Sequence, residues 1–158
     1  LFRNKSYRAM YSRVAMIKAV RHTGFVVRDL EKSAMFYCAL GFVEDNRAIE
    51  RGDFIDSVVG YQNTKLEWIK LKAPDGYMLE LLQYHSHPER KKISKQSSNQ
   101  LGCSHLALTV EDINSVCEKI IDIGGSILNP PALTKDKKVK VVYCHDNEGN
   151  LLEIVEVL

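Results

Sequence analysis

The sequence lacks several features that would place it in a specialised class of protein. It has only four cysteines, none of them in a Cys-x-x-Cys pair, and no apolar run approaches the roughly 18 residues that span a bilayer. Its net charge of +2 is too small to favour nucleic acid as a partner. These absences argue against a zinc-cysteine site, a membrane partner and a nucleic-acid partner. They predict reduced thiols in a cytoplasmic protein.

Acidic residues are missing from the N-terminal segment. The first is Asp29, and the residues before it include seven arginines and lysines. We interpret residues 1–16 as a basic N-terminal extension, with a transit peptide or an anchor for an anionic surface as the alternatives. The fold is therefore expected in the remainder of the chain, whose 45% hydrophobic and 27% charged composition is that of a protein with a packed core.

An internal repeat organises that remainder. The segment HTGFVVRDLEKSAMFYCALG, from His22, aligns with HLALTVEDINSVCEKIIDIG, from His105. Each copy has a histidine, alternating apolar residues and then an aspartate, Asp29 or Asp112, of the type that caps a helix. Each copy is therefore predicted to begin with a strand followed by a helix.

The second halves of the two copies also match. In PDGYMLELL and NEGNLLEIV, a glutamate, Glu80 or Glu153, lies the same distance past a turn glycine, Gly76 or Gly149. Each glycine follows an alternating run, which predicts a hairpin of two antiparallel strands. A further strand is predicted in FVEDNRAI and in SILNPPAL, so each copy has the order β-α-β-β-β.

These patterns predict an α+β fold of two repeated modules. The first module covers residues 17–85, a polar linker covers 86–100, and the second module covers 101–158. The first module carries extra residues within 50–64, where Phe54, Ile55, Val58 and Val59 recur at helical spacing. This insertion is predicted to be either a short amphipathic lid over a cavity or an ordinary surface loop.

Strand alternation predicts which way the histidines and glutamates point. His22 and His105 fall on the small-residue face of their strands, opposite the aliphatic face that packs on the helix. If the modules pair about a pseudo-twofold axis, His22 and Glu80 of one meet His105 and Glu153 of the other. Two neutral imidazoles and two carboxylates balance one divalent cation, which offsets the cost of burying the glutamates.

Other titratable residues have no counterpart in the repeat. His85, His87 and His145 are therefore interpreted as surface or loop residues, and Glu156 as a solvent-facing residue of a half-exposed strand.

The segments HTGFVVRDLEKSAMFYCALGF, PDGYMLELL, SHLALTVEDI and NEGNLLEIVE together resemble the vicinal oxygen chelate superfamily, especially its glyoxalase I (lactoylglutathione lyase) branch. The resemblance implies one domain, 17–158, in which paired βαβββ modules form a cupped mixed or antiparallel sheet around a metal site, usually in a homodimer. Both pairing of the modules within one chain and pairing across the dimer are compatible with the resemblance. It implies that His22, Glu80, His105 and Glu153 bind one divalent ion, with nickel, cobalt, zinc, manganese and iron as candidates.

The resemblance also implies an activity. A member of this branch would be a metal-dependent lyase, specifically a carbon-sulfur lyase, or a related isomerase. It would move a proton through a metal-bound enediolate of a small-molecule substrate. Glu153 is the expected base and Glu80 the alternative.

Two positions depart from the glyoxalase I pattern. Val26 and Tyr84 stand where bacterial members carry an arginine and an asparagine that serve glutathione, which argues against glutathione hemithioacetal as the substrate. A methylmalonyl-CoA epimerase-like isomerase is the first alternative, although that group has glutamine at the place of Glu80. A metal-containing antibiotic-resistance or small-molecule-binding protein is the second.

Overall fold

A computed structural model describes residues 17–91, 94–102 and 105–158 of the chain. The predicted basic extension, residues 1–16, lies outside this range. Within it, no helix is long and apolar enough to cross a membrane.

The elements of the described residues follow the repeat. The helices are α1 (Leu30–Ala39), α2 (Asp53–Val59) and α3 (Ile113–Asp122). The strands are β1 (Thr23–Val26), β2 (Val43–Arg51), β3 (Lys65–Lys72), β4 (Met78–Tyr84), β5 (Leu106–Val110), β6 (Ser126–Ile127), β7 (Ala132–Leu133), β8 (Val139–His145) and β9 (Leu151–Val157).

The strands form two mixed sheets of matching topology. The first sheet has the order β1-β4-β3-β2, and the second has β5-β9-β8-β6 with β7 also paired to β8. The first strand of each module runs parallel to the last, while the other neighbours are antiparallel. The predicted α+β class and the two βαβββ modules are confirmed.

Local sequence explains where the helices begin and end. The Asp29 side chain accepts a backbone N–H of the first turn of α1, and Asp112 does the same for α3. After these helices the chain turns at Gly41 and Gly124, whose φ values of 102° and 93° favour glycine.

The second module differs from the prediction in one strand. The segment predicted as a single strand at 126–133 forms two short strands, β6 and β7, separated by Pro130 and Pro131. Proline has no backbone N–H to donate to a sheet, and its ring fixes φ, so a continuous pairing with β8 is interrupted there.

One hydrophobic core joins the two modules. Tyr37 and Leu81 of the first module, and Ile120 and Ile154 of the second, are all fully buried members of the same cluster. These side chains belong to the helices and to the sheet faces that pack on them. The two modules therefore meet through their helix-covered sides, and the opposite face of each sheet stays outside the core.

Polar contacts at the junction fix the turn between β8 and β9 against α1. The buried Tyr37 hydroxyl donates to Asp146 Oδ2 at 2.7 Å, and Asp146 also accepts from the backbone N–H groups of Glu148 and Asn150. Burial raises the pKa of Tyr37 well above its usual value, and the neighbouring Asp146 raises it further. The phenol therefore remains a neutral donor.

We expect Tyr37→Phe to lower the free energy of unfolding by about 1–3 kcal/mol, because a buried carboxylate loses one of its donors. Urea denaturation measures the change. Tyr61→Phe serves as the control, since Tyr61 is half exposed, contacts the rings of Tyr84 and His87, and makes no side-chain hydrogen bond to another described residue. Equal stability of Tyr37→Phe and wild type would show that the Tyr37–Asp146 bond does not hold the modules together.

Two predictions about polar residues are wrong. His145 is 5% exposed, and its Nε2 lies 2.7 Å from the carbonyl oxygen of Gln96 in the linker. Glu156 is 9% exposed, and it accepts hydrogen bonds from the buried N–H of Ile113 and from the Lys140 ammonium. Both side chains are buried because partners distant in the sequence offset the cost of removing them from water.

The described cysteines are free thiols. Cys117 and Cys144 are buried, Cys38 is exposed, and Cys103 lies outside the described residues. Burial raises the pKa of Cys144 to about 12, so this thiol is protonated at neutral pH.

Candidate metal centre

The first predicted histidine and glutamate are adjacent in space. His22 immediately precedes β1, and Glu80 lies in β4, the parallel neighbour of β1. His22 Nε2 is 2.9 Å from Glu80 Oε2. Both side chains are partly buried on the face of the sheet that points away from the core.

The second pair repeats this geometry. His105 precedes β5, Glu153 lies in the neighbouring strand β9, and His105 Nε2 is again 2.9 Å from Glu153 Oε2. The repeat seen in the sequence is thus a repeat of side-chain geometry, with one imidazole and one carboxylate on the open face of each sheet.

The spacing within each pair suits two ligands of one ion. Nitrogen and oxygen ligands about 2.1 Å from a divalent ion, at right angles to each other, lie about 3 Å apart. A separation of 2.9 Å between Nε2 and Oε2 is compatible with that arrangement. Each pair therefore fits half of the predicted ligand set of two imidazoles and two carboxylates.

The described residues of a single chain do not bring the two halves together. Among them there is no group of three or more histidine, cysteine, aspartate or glutamate side chains placed to hold a metal ion. The two pairs lie on different sheets, which meet through their helix-covered sides. The four-ligand set therefore stays a prediction, and completing it needs a second source of ligands.

The two glutamates have different neighbours. Lys70 lies opposite Glu80 in the β3–β4 register, and its ammonium is 3.6 Å from Glu80 Oε1 and 4.3 Å from the centre of the Trp68 ring. In the second module Tyr143 occupies the equivalent place opposite Glu153. Among the described residues no lysine or arginine pairs with Glu153, which is 23% exposed, compared with 13% for Glu80.

Sequence reasoning missed Lys70 and Tyr143. The Tyr143 ring meets the His105 ring edge-on at 5.1 Å, so both missed residues touch a predicted ligand. The sequence does contain a signal for Lys70 and Tyr143, because a hairpin places a residue of one strand directly beside its register partner on the same face. To identify these partners from the sequence, the turn length must be known, since it fixes the register.

The insertion in the first module lies on the open face. Its helix, α2, is anchored by the buried Ile55, and Tyr61 after it meets the ring of Tyr84 edge-on at 6.3 Å. Tyr84 alternates along β4 with Glu80 and therefore shares its face. The predicted short helix exists, and Phe54 on it is 73% exposed.

Comparisons with known proteins agree with this architecture. Residues 19–154 match the family model of the Glyoxalase/Bleomycin resistance protein/Dioxygenase superfamily. A curated relative from Synechocystis sp., named a probable lactoylglutathione lyase, is 30% identical over 141 residues, which are 85% of this chain and 92% of the relative.

Solved structures share the fold. A glyoxalase family protein from Bacillus cereus superposes with a TM-score of 0.83 at 23% identity, covering 92% of this chain and 99% of that one. The fosfomycin resistance protein FosX from Listeria monocytogenes, complexed with Mn(II) and sulfate, gives a TM-score of 0.57 at 17% identity, covering 90% and 95%. These structures share the fold of this chain, and the family model, which matches most of the chain, places the protein in the glyoxalase/bleomycin resistance protein/dioxygenase superfamily.

Proposed function

We propose that the protein is a metal-dependent lyase or isomerase of the glyoxalase type, which moves a proton on a carbon next to oxygen in a small substrate. The observation that carries this proposal is the matched His22–Glu80 and His105–Glu153 pairs, each at 2.9 Å, on the open faces of the two modules. The relative named a probable lactoylglutathione lyase supports the reaction type. The Mn(II) in the FosX structure supports a divalent ion.

The complete site forms between two copies of the chain. Each module already packs its helix-covered side against the other module, so the open faces are left for a partner. A second copy that pairs its second module with the first module of its neighbour would bring His105 and Glu153 to His22 and Glu80. A twofold dimer of this kind contains two equivalent sites, as closed symmetry requires.

The bound ion would supply Lewis acidity, which stabilises negative charge on a substrate oxygen. His22 and His105 would hold the ion through their ring nitrogens, and the two carboxylates would balance its charge. Glu153 is the base that removes the proton from carbon and returns it, because no described lysine or arginine pairs with its carboxylate. Glu80 keeps its position, since the Lys70 ammonium lies beside its second oxygen.

Substrate preference differs from that of a glutathione-dependent enzyme. Val26 and Tyr84 present an isopropyl group and a phenol at the two positions where the glyoxalase I branch binds glutathione. An acyl-CoA epimerase reaction remains the alternative within the same chemistry. A metal-containing small-molecule-binding or resistance protein is the second candidate, which the shared fold with FosX favours.

Hydrogen exchange with solvent separates these functions. The metal-reconstituted protein is incubated in deuterium oxide with 2-oxoaldehyde thiol adducts or acyl-CoA epimers, and the substrates are analysed by NMR. A lyase or isomerase places deuterium on the reacting carbon, because the base exchanges its proton with solvent before returning it. If a substrate binds without deuterium uptake at any carbon, the proton-transfer function is wrong and the binding function is favoured.

A further inference from the structure

The two glutamates proposed to bind the metal have different neighbours across their hairpins. Lys70 of β3 lies directly opposite Glu80, whereas Tyr143 of β8 lies directly opposite Glu153. Since directly opposite residues of antiparallel strands share a face, Lys70 belongs to the open face of the first sheet. The two modules, matched in their His–Glu pairs, therefore differ by one positive charge at equivalent positions.

The Lys70 side chain is fixed by an ion pair and an aromatic ring. Its ammonium is 3.6 Å from Glu80 Oε1, which is longer than the usual hydrogen bond of about 2.7–3.2 Å from a nitrogen donor. The same ammonium lies 4.3 Å from the centre of the Trp68 ring, whose face attracts a cation. These contacts hold the charge beside Glu80 and leave its N–H groups able to donate to a ligand.

The charges of the complete site would not balance beside Lys70. A divalent ion and the two glutamates cancel one another, so the Lys70 ammonium adds one positive charge next to them. Glu50 also approaches Trp68, but its Oε1 accepts the indole N–H at 3.4 Å, and among the described side chains it forms no ion pair with Lys70. Because partly buried charges are screened less than exposed ones, this excess charge favours a negatively charged ligand.

Lys70 and the proposed base belong to different modules. Glu153 lies in the second module and Lys70 in the first, so in the proposed two-copy site they come from opposite sides. A substrate between them would turn the proton to be removed toward Glu153 and its negative group toward Lys70. Tyr143, at the equivalent place in the second module, offers an uncharged hydroxyl and cannot replace the ammonium.

We infer that Lys70 binds a carboxylate or phosphonate that the substrate carries beside its reacting carbon. The inference rests on the proposed function and narrows its substrate class to small molecules with a negative charge close to the site of proton transfer. The ammonium forms a charge-assisted hydrogen bond to that group, which sets the orientation of the substrate. Lys70 is thus a specificity-determining residue as well as the neighbour of Glu80.

Isothermal titration calorimetry of the metal-loaded protein with three small probes tests the inference. Glycolate carries a carboxylate, (hydroxymethyl)phosphonate carries a phosphonate, and glycolamide is neutral. Lys70→Met keeps an unbranched side chain but removes the charge. It should weaken the binding of at least one anionic probe by about 10-fold or more and leave the binding of glycolamide unchanged. The anion that depends more strongly on Lys70 identifies the group as carboxylate or phosphonate.

Lys72→Met is the matched control. Lys72 lies on the same strand and the same face as Lys70, is exposed, and stands opposite Met78 instead of a glutamate. The control variant therefore removes an equal charge without removing the neighbour of Glu80. It should bind all of the probes as the wild type does.

Equal weakening in Lys70→Met and Lys72→Met would overturn the inference, as would a wild type that binds neither anion more tightly than glycolamide. Elemental analysis of the same preparations separates this result from the proposed function. A Lys70→Met protein that keeps its metal and binds both anions normally loses only the role given to Lys70. A Lys70→Met protein that loses its metal shows that Lys70 holds Glu80 instead of the substrate. A wild type that takes up no metal overturns the proposed function, and the inference with it.

Discussion

Glu153→Gln should lower kcat by about 10²–10⁴-fold, the usual contribution of a positioned general base, while the protein keeps its metal ion. The amide retains the shape of the side chain and a carbonyl oxygen for the ion, but it cannot accept the proton from carbon. Steady-state kinetics together with elemental analysis of the same preparation measures both properties. The physical reason is the open environment of Glu153, which no described lysine or arginine holds in place.

Glu80→Gln is the matched comparison. Glu80 is less exposed than Glu153, and its second oxygen faces the Lys70 ammonium at 3.6 Å, so we assign it to holding the ion rather than to moving the proton. Its replacement by glutamine should lower kcat less than about 10-fold. A larger loss of kcat in Glu80→Gln than in Glu153→Gln would show that Glu80 is the base and that Glu153 holds the ion.

His105→Ala and His22→Ala should each weaken divalent-metal binding by more than about 100-fold. Loss of a residue that merely supports a ligand already costs 10–100-fold, and these substitutions remove the ligand itself. Titration with nickel, cobalt, zinc, manganese and iron(II), with elemental analysis of the purified proteins, measures the loss. The predicted ion is one of these five.

His87→Ala is the control for the histidine variants. His87 stacks on Tyr61 and contacts Ser86, neither of which belongs to a His–Glu pair, so its removal should leave metal affinity unchanged. A wild-type protein that takes up none of the five ions at close to stoichiometric amounts would contradict the metal site altogether.

The features that sequence predicted well are those set by local chemistry. Asp29 and Asp112 cap helices because an aspartate before an apolar helical pattern accepts the first free N–H groups. The hairpin glycines, Gly76 and Gly149, take positive φ values of 91° and 88°. Since both copies carry the same signals, the repeat assigned one histidine and one glutamate to each module, and the four-ligand metal site built from them stays a prediction.

The features that sequence missed depend on contacts between distant segments. His145 and Glu156 were misjudged because their partners, Gln96 in the linker and the N-terminus of α3, are set by tertiary packing. The way in which the two modules pack against each other is likewise set by the hydrophobic core that they share. Alternation along a strand predicts which face His22 occupies, but not what covers that face.

The measurement that tests the two-copy site most directly is the metal content of a mixed dimer. One chain carries His22→Ala and Glu80→Ala, the other His105→Ala and Glu153→Ala, and the two are produced separately and together. Each variant alone should hold no metal, whereas the mixed dimer regains one intact site and should hold about one ion per two chains, with activity restored. If the co-produced chains stay as free of metal as the separate ones, the site does not form between two copies.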